Sequence, residues 1–487
     1  SLVSVMTPSW DLTRCQGQPG RIPHPASQPA RLSAMNPALW RNRLSFGLGT
    51  LGRDMSAALV SMYLMFYLTE VLHISQSATA VVTVVLVAMR IFDALNDPFM
   101  GVIVDNTRSR FGKFKPWIAL GAVLWGAATL GIFVDLGLSG AAFLVWFTVV
   151  YLVWSVAYTI NDISFWGMLP ALSQDLKERE RIGVIARICA NLGLFSVVVA
   201  VVPATKALGG LLGSEQLGWL AFAALLVVLM LGFQSLTLLF TRQQVTVAAS
   251  QTPFRELVRV IGRNDQLLWA AGAMLCFMGG YMTVTSLGIY YFKYVYRDEA
   301  TYSVFAAILA VTQLAGLALF PLVRKFLRRF QIHTLATLLC LVGLVVFWFA
   351  GSSLTVVAVA GVLLFTGQAF IQLLMLMFIA DCVEYGQWKL GRRNESVTLA
   401  VQPFIYKASN AIGSGFVGLA LLVSGISGAR VVEDVTAAGV AAFKSVMLLI
   451  PMVLIAASWL ILRVGYRLDE KRYAEILAEL EGGETSA

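Results

Sequence analysis

Long apolar stretches follow one another along this chain, separated by short polar loops. Twelve can be read, at about 44–70, 77–104, 117–136, 141–167, 183–205, 216–241, 266–293, 302–323, 333–351, 354–380, 398–424 and 438–465. Each suits a helix of roughly 20 residues crossing a bilayer. The loops alternate in charge. Basic residues gather after the second stretch (Arg108, Arg110, Lys113, Lys115), the fourth (Lys177, Arg179, Arg181), the eighth (Arg324, Lys325, Arg328, Arg329) and the tenth (Lys389, Arg392, Arg393). The intervening loops are poorer in Lys and Arg. The positive-inside rule therefore puts the basic loops and both termini in the cytoplasm.

The segment 242–265, with Arg242, Arg255, Arg259 and Arg263, divides the spans six and six. Basic loops recur after the second span of each half, and charged loops after the fourth. This weak internal repeat predicts two six-helix bundles, 44–241 and 266–465, around a central site. The tail 466–487 alternates charge with Leu and Ile and predicts a short cytoplasmic helix. Residues 1–43 are polar, proline-containing and free of an apolar leader core, and are expected to be a disordered extension.

Composition narrows the class. Of 487 residues, 58% are hydrophobic and 13% charged, with mean hydropathy +0.77. A soluble protein would carry about 25% charge. The net charge of +9 lies in inter-span loops, where it sets orientation, so nucleic acid is not expected as a partner. The five cysteines and three histidines are dispersed, without metal-ligand spacing. That argues against an intramembrane enzyme, which would need a nucleophile–base pair or a metal triad. The polar span residues form one cluster and no continuous ring, which argues against a channel.

The few ionisable groups inside spans become the candidate chemistry. The second span holds Asp93-Ala-Leu-Asn96-Asp97-Pro98. Asp93, Asn96 and Asp97 stand at i, i+3 and i+4, on one helical side, and their oxygens suit a hard monovalent cation or a proton. Arg53 and Asp54 lie in span one, Asp162 in span four, Arg187 in span five and Lys407 in span eleven. Buried charges persist when paired or hydrated, and one central wet cavity would serve them all. Thr159, Asp162 and Trp166, at i, i+3 and i+7, share a face beside Tyr158. A carboxylate beside an indole is what a sugar ring needs, hydroxyl acceptors next to an aromatic wall. The Thr159 hydroxyl can also reach a cation held by span two. Plainer readings compete: Asp93 and Asp97 pairing with Arg90 or Arg53 for packing alone, Trp166 in an aromatic belt, Arg187 snorkelling. Lys293 and Asp135 lie at span ends, where snorkelling suffices.

These segments resemble a known family. Leu44–Tyr67, Arg90–Gly101, Thr107–Trp117, Tyr158–Trp166, Ala380–Ser396 and the Lys407 region are similar to the melibiose permease branch of the glycoside–pentoside–hexuronide:cation symporters, in the major facilitator superfamily. The likeness runs from about 41 to 470. It implies an all-α integral membrane fold of twelve helices in two bundles, in a bacterial plasma membrane, working as a monomer. It implies a Na+-type site from Asp93, Asn96, Asp97 and Thr159, with Li+ or H+ as other coupling ions and no cofactor. It also implies a galactoside site using Arg53, Asp54, Tyr158, Asp162, Trp166, Arg187, Gln372 and Lys407. Four departures stand out. Arg53 replaces a lysine, Ser61 a tyrosine, Gln372 a tryptophan and Pro403 a threonine; Ser61 and Gln372 would widen the sugar pocket. The expected function is cation-driven uptake of a galactoside such as melibiose. A proton-coupled glucuronide, pentoside or other glycoside carrier is the alternative. The inner gate is expected to close through charges in 105–115 and 381–396.

Overall fold

A computed structural model describes residues 37–173, 176–243, 261–391, 398, 401–429 and 431–484. Helix accounts for nearly all of them. The long helices are α1 (Pro37–Phe66), α2 (Gln76–Asn106), α3 (Lys115–Phe133), α4 (Gly140–Met168), α5 (Leu176–Leu212) and α6 (Glu215–Phe240). They continue as α7 (Asp265–Tyr296), α8 (Thr301–Phe326), α9 (Arg329–Phe349), α10 (Leu354–Leu390), α11 (Val401–Ser424) and α12 (Ala437–Gly465). A short α13, Glu470–Glu484, forms the tail. Ten of these helices are long and apolar enough to cross a membrane. The other two long ones, α1 and α11, have 30 and 24 residues but carry more polarity. Their charges, Arg53 with Asp54 and Lys407, are candidate site residues.

Helix ends follow local chemistry. Ser75 caps α2 by accepting the Ala78 N–H at 3.2 Å, and Asn264 caps α7 by accepting from Leu267 at 3.1 Å. Gly391, at φ 68°, ends α10 in the left-handed conformation that glycine adopts without penalty. At the N-terminus the structure corrects the expectation of disorder through residue 43. Helix α1 starts at Pro37, because Asn42 and Arg43 are anchored: Asn42 donates to the carbonyls of Leu172 and Arg242, and Arg43 pairs with Glu178 at 2.5 Å. Residues 1–36 and most of the expected central loop lie outside the described residues.

Within the first six spans α3 packs on α4 and α6, α4 on α2, and α5 on α6. Within the second six α7 packs on α10, α11 and α12, while α10 packs on α8 and α9. The most extensive contacts between the sets among the described residues are α2 with α11 and α5 with α8. The α2–α11 seam is antiparallel. Gln76 reaches the Leu422 carbonyl at 3.4 Å, Thr83 faces Gly418, Val87 faces Gly415, and Asp97 meets Lys407. A Cβ at Gly418 would overlap the Thr83 side chain, so glycine permits the approach. Small residues serve this purpose between membrane helices, where close backbone packing replaces hydrophobic drive.

The end away from the basic loops is sealed by aromatic and charged groups from both sets. Helix α1 passes into a π-helical turn, Tyr67–Val71, and α7 ends in another, Tyr291–Tyr296. Such turns shift side chains off the regular helical register and often mark functional positions. Here they bring Lys293 within 2.6 Å of buried Glu70. The Tyr294 hydroxyl donates to the same carboxylate at 2.6 Å. Thr69 meets Tyr290, and Tyr63 meets Tyr302, both at 2.8 Å. Lys293 is therefore a paired residue in a contact between the two sets, which corrects the snorkelling reading.

At the basic end, three of the expected gate charges, Lys115, Asp381 and Lys389, have partners within their own set. Lys115 donates to the carbonyls of Leu238 and Thr241 at 2.7 and 2.8 Å. Lys389 pairs with Asp265, and Arg329 with Asp381. Residues 392–396 of that expected gate lie outside the described residues.

Candidate functional site

Helix α4 organises the site because its polar residues recur on one face. Ser155, Thr159, Asp162 and Trp166 follow at spacings of four, three and four. An aromatic ladder beside them fixes the helix: Phe143, Phe147, Tyr151, Trp154 and Tyr158 stack in sequence, with ring centroids 5.5–6.1 Å apart. Trp125 of α3 meets Tyr158 edge-on at 5.2 Å. These packed rings hold Tyr158 in place while its phenol stays within electrostatic reach of Asp162, Arg53 and Asp54.

Two ion pairs stand in this region. Arg53 of α1 bonds Asp162 of α4 at 2.5 Å, and its guanidinium lies 4.8 Å from the centre of the Phe165 ring. Lys407 of α11 contacts both carboxylate oxygens of Asp97, at 2.6 and 2.5 Å. In each pair the cation is nearly enclosed, with 4% and 10% of the side chain exposed. The carboxylates retain 21% and 27%. Water or a solute can therefore reach the anions more readily than the cations. Asp54 is half-buried and feels Arg53, Asp162 and Arg187, while Asp97 feels Asp162 and Asp93 as well as Lys407. One field thus links carboxylates from α1, α2 and α4.

The span-two acids take different partners. Asp93 is buried and accepts a hydrogen bond from Ser155, with Arg90 at 3.7 Å. Asp97 turns to α11. Thr159 is fully buried, and its hydroxyl lacks a hydrogen-bond partner among the described residues. Such an orphan costs free energy until a ligand or water satisfies it. Asn96 is half-buried on α2.

The other sugar-site candidates are distributed more widely. Arg187 is exposed on α5, and its guanidinium lies 5.2 Å from the centre of the Trp166 ring, which also meets Phe46 edge-on at 6.0 Å. One face of the indole is thus already engaged by a cation. Gln372 belongs to a separate amide chain on α8 and α10. It accepts from Gln313 at 3.1 Å and from Gln368 at 3.5 Å. Arg53, Asp54, Tyr158, Asp162, Asp97 and Lys407 are brought together; Gln372 bonds elsewhere.

The sequence reading missed Ser155 as the partner of Asp93. Its position one helical turn before Thr159 was the available signal. It also passed over Glu70, whose burial depends on α7 and has no local signature.

Comparison with known proteins places this geometry. The model for the family described as MFS/sugar transport protein matches residues 45–470. The lactose permease of Lactobacillus delbrueckii subsp. bulgaricus is 34% identical over 457 residues, covering 90% of this chain and 72% of the permease. The raffinose carrier protein of Pediococcus pentosaceus is 32% identical over 460 residues, covering 90% and 71%. The Escherichia coli glucuronide carrier protein homolog is 26% identical over 451 residues, covering 91% and 95%. The crystal structure of a bacterial homolog of the human lysosomal transporter Spinster, inward-facing and unoccupied, superposes with TM-score 0.64 at 14% identity. It covers 90% of this chain and 100% of its own, a likeness of fold alone. The relatives are transporters, and no enzyme reading survives beside them. A multi-pass helical membrane protein, this chain belongs to the glycoside–pentoside–hexuronide:cation symporter family of the major facilitator superfamily.

Proposed function

We propose that this carrier couples inward flow of a monovalent cation, Na+ in the first instance, to uptake of a galactoside such as melibiose. The observation that carries the reading is the Lys407–Asp97 pair standing in one electrostatic field with the Arg53–Asp162 pair. In this reading Lys407 is a tethered cation on the coupling acid. An entering cation competes for Asp97 and releases the Lys407 ammonium. The freed ammonium then needs an oxygen acceptor, and a sugar hydroxyl supplies one. Asp162 and Asp54 accept from further sugar hydroxyls, and Tyr158 and Trp166 border the ring. Asp93, Asn96 and the orphan Thr159 hydroxyl complete the oxygen set for the cation. Relatives named for lactose and raffinose, both galactosides, support this substrate class.

The basic loops would face the cytoplasm, as would both termini. Alternating access is expected between the two six-helix bundles, as in carriers with a site at the interface of repeated halves.

A proton-coupled carrier of glucuronides, pentosides or other glycosides is the second reading. It is favoured by one feature: neutralising Asp97 is enough to release Lys407, and a proton does that without an oxygen cage. Uptake into membrane vesicles separates the two. Labelled melibiose, lactose, raffinose and a glucuronide are compared with and without a Na+ gradient, and with a pH gradient alone. Sodium-stimulated galactoside accumulation is expected. Accumulation driven only by pH would select the second reading, and failure to accumulate any of these sugars would reject both.

A further inference from the structure

A second cavity, of about 750 Å³, opens where α9 begins and α12 gives way to the tail helix α13. That volume is within the roughly 300–1,000 Å³ of small-ligand sites. Its floor is aromatic. Phe330, Phe378 and Tyr466 pack mutually at 5.0–6.1 Å, and the buried Tyr466 hydroxyl is spent on the Phe378 carbonyl at 3.1 Å. Its rim is basic, with Arg328, Arg329, Arg463, Arg467 and Lys471.

The two acids that also line it, Asp469 and Glu470, are committed elsewhere. Glu470 pairs with Arg324 at 2.8 Å and accepts the Arg329 N–H at 3.2 Å. Asp469 accepts the Arg472 N–H at 2.8 Å at the start of α13. Of the basic groups, Arg329 has a carboxylate, Asp381. Among the described residues, no carboxylate pairs with Arg328, Arg463, Arg467 or Lys471, and all four are exposed. Three guanidinium forks and an ammonium around one hollow suit a phosphate, whose oxygens accept such donors in parallel.

The surroundings choose the source of the phosphate. Arg463 belongs to the last turn of α12 and Arg329 to the first of α9, so the hollow lies where two spans leave the apolar layer. Toward the span interiors, Leu460 and Val464 of α12 are 54% and 63% exposed, and Leu338 of α9 is 53% exposed. These apolar flanks lie along the same two helices, which pack on each other. A headgroup in the hollow could lay its acyl chains along them. Basic pockets at the mouths of membrane helices recognise anionic lipids in this way.

We propose that this cavity binds the phosphate of an anionic phospholipid of the surrounding leaflet, as a site separate from the transport site. The test uses the full-length carrier purified in neutral detergent, native mass spectrometry, and phosphatidylglycerol and phosphatidylcholine with matched chains. The wild type is expected to retain phosphatidylglycerol preferentially. Arg463→Gln with Arg467→Gln should weaken that retention roughly tenfold or more, since each surface cation contributes to anionic-lipid attraction. Lys325→Gln, an exposed basic change at the same end that does not line the cavity, should leave it unaltered. If the double variant melts earlier than wild type in phosphatidylcholine, Lys471→Gln alone takes its place. Equal retention of the two lipids, or full retention by the cavity variant, would overturn the proposal. Displacement of the lipid by millimolar inorganic phosphate would replace it with a free-phosphate site.

Discussion

Lys407 Nζ lies between the two carboxylate oxygens of Asp97, at 2.6 and 2.5 Å, across the seam between α2 and α11. The partners are 310 positions apart in the chain. The ammonium sits on the carboxylate proposed to take the coupling ion, and under that proposal the two cations would compete for one anion.

That competition sets the first prediction. Asp97→Asn should abolish accumulation of sugar against its gradient while sugar exchange persists. Lys407→Gln leaves Asp97 without its counter-charge. Removing one member of a fully buried pair costs about 3–5 kcal/mol, whereas removing both costs much less; with Asp97 27% exposed, the cost here falls below that range but keeps its sign. The double variant should therefore melt at a higher temperature than Lys407→Gln alone, measured by thermal unfolding of the purified carrier. A double variant less stable than either single change would show that the two residues do not act as a pair.

The sugar side is tested through Asp162 and Asp54. Hydrogen bonds to charged groups are worth about 1.5–3 kcal/mol. Asp162→Asn and Asp54→Asn should thus each weaken galactoside binding by roughly 10–150-fold. Cation binding, followed by calorimetry without sugar, should change far less. Normal sugar affinity in both variants would move the pocket elsewhere.

Gly418 is a structural test of the coupling pair. Its hydrogen faces the Thr83 side chain where a Cβ has no room. Gly418→Val should force α2 and α11 apart and loosen Asp97 from Lys407, although neither charge is altered. The expected outcome is reduced concentrative uptake with expression retained. Thr83→Ala placed in the same chain should restore part of the activity, because it removes the overlapping group.

The Glu70–Lys293 bond should hold the end opposite the basic loops shut. Glu70→Gln removes its charge and weakens the grip on both Lys293 and Tyr294. Spin labels at the exposed positions His73 and Arg297 should then report a larger mean separation, with a greater share of molecules open at that end. An unchanged distance distribution would mean that the hydroxyl pairs Tyr63–Tyr302 and Thr69–Tyr290 suffice for closure.

The spans, their order and the residues able to carry charge inside a membrane were legible from the sequence. Apolar length follows from bilayer thickness, and a buried charge is conspicuous because it is costly. Helical periodicity also disclosed that Thr159, Asp162 and Trp166 share a face. The pairing of those charges was decided by tertiary structure. Asp93 and Asp97 are one turn apart on the same side of α2, yet one turns to Ser155 and the other to Lys407, because both α4 and α11 pack on that helix and each brings a partner to a different acid. Lys293 reads as an ordinary span-end residue and Glu70 has no local signal, until two π-helical turns bring them together. A pattern along one helix is set by its own geometry, but a partner 310 positions away is set by how the helices pack.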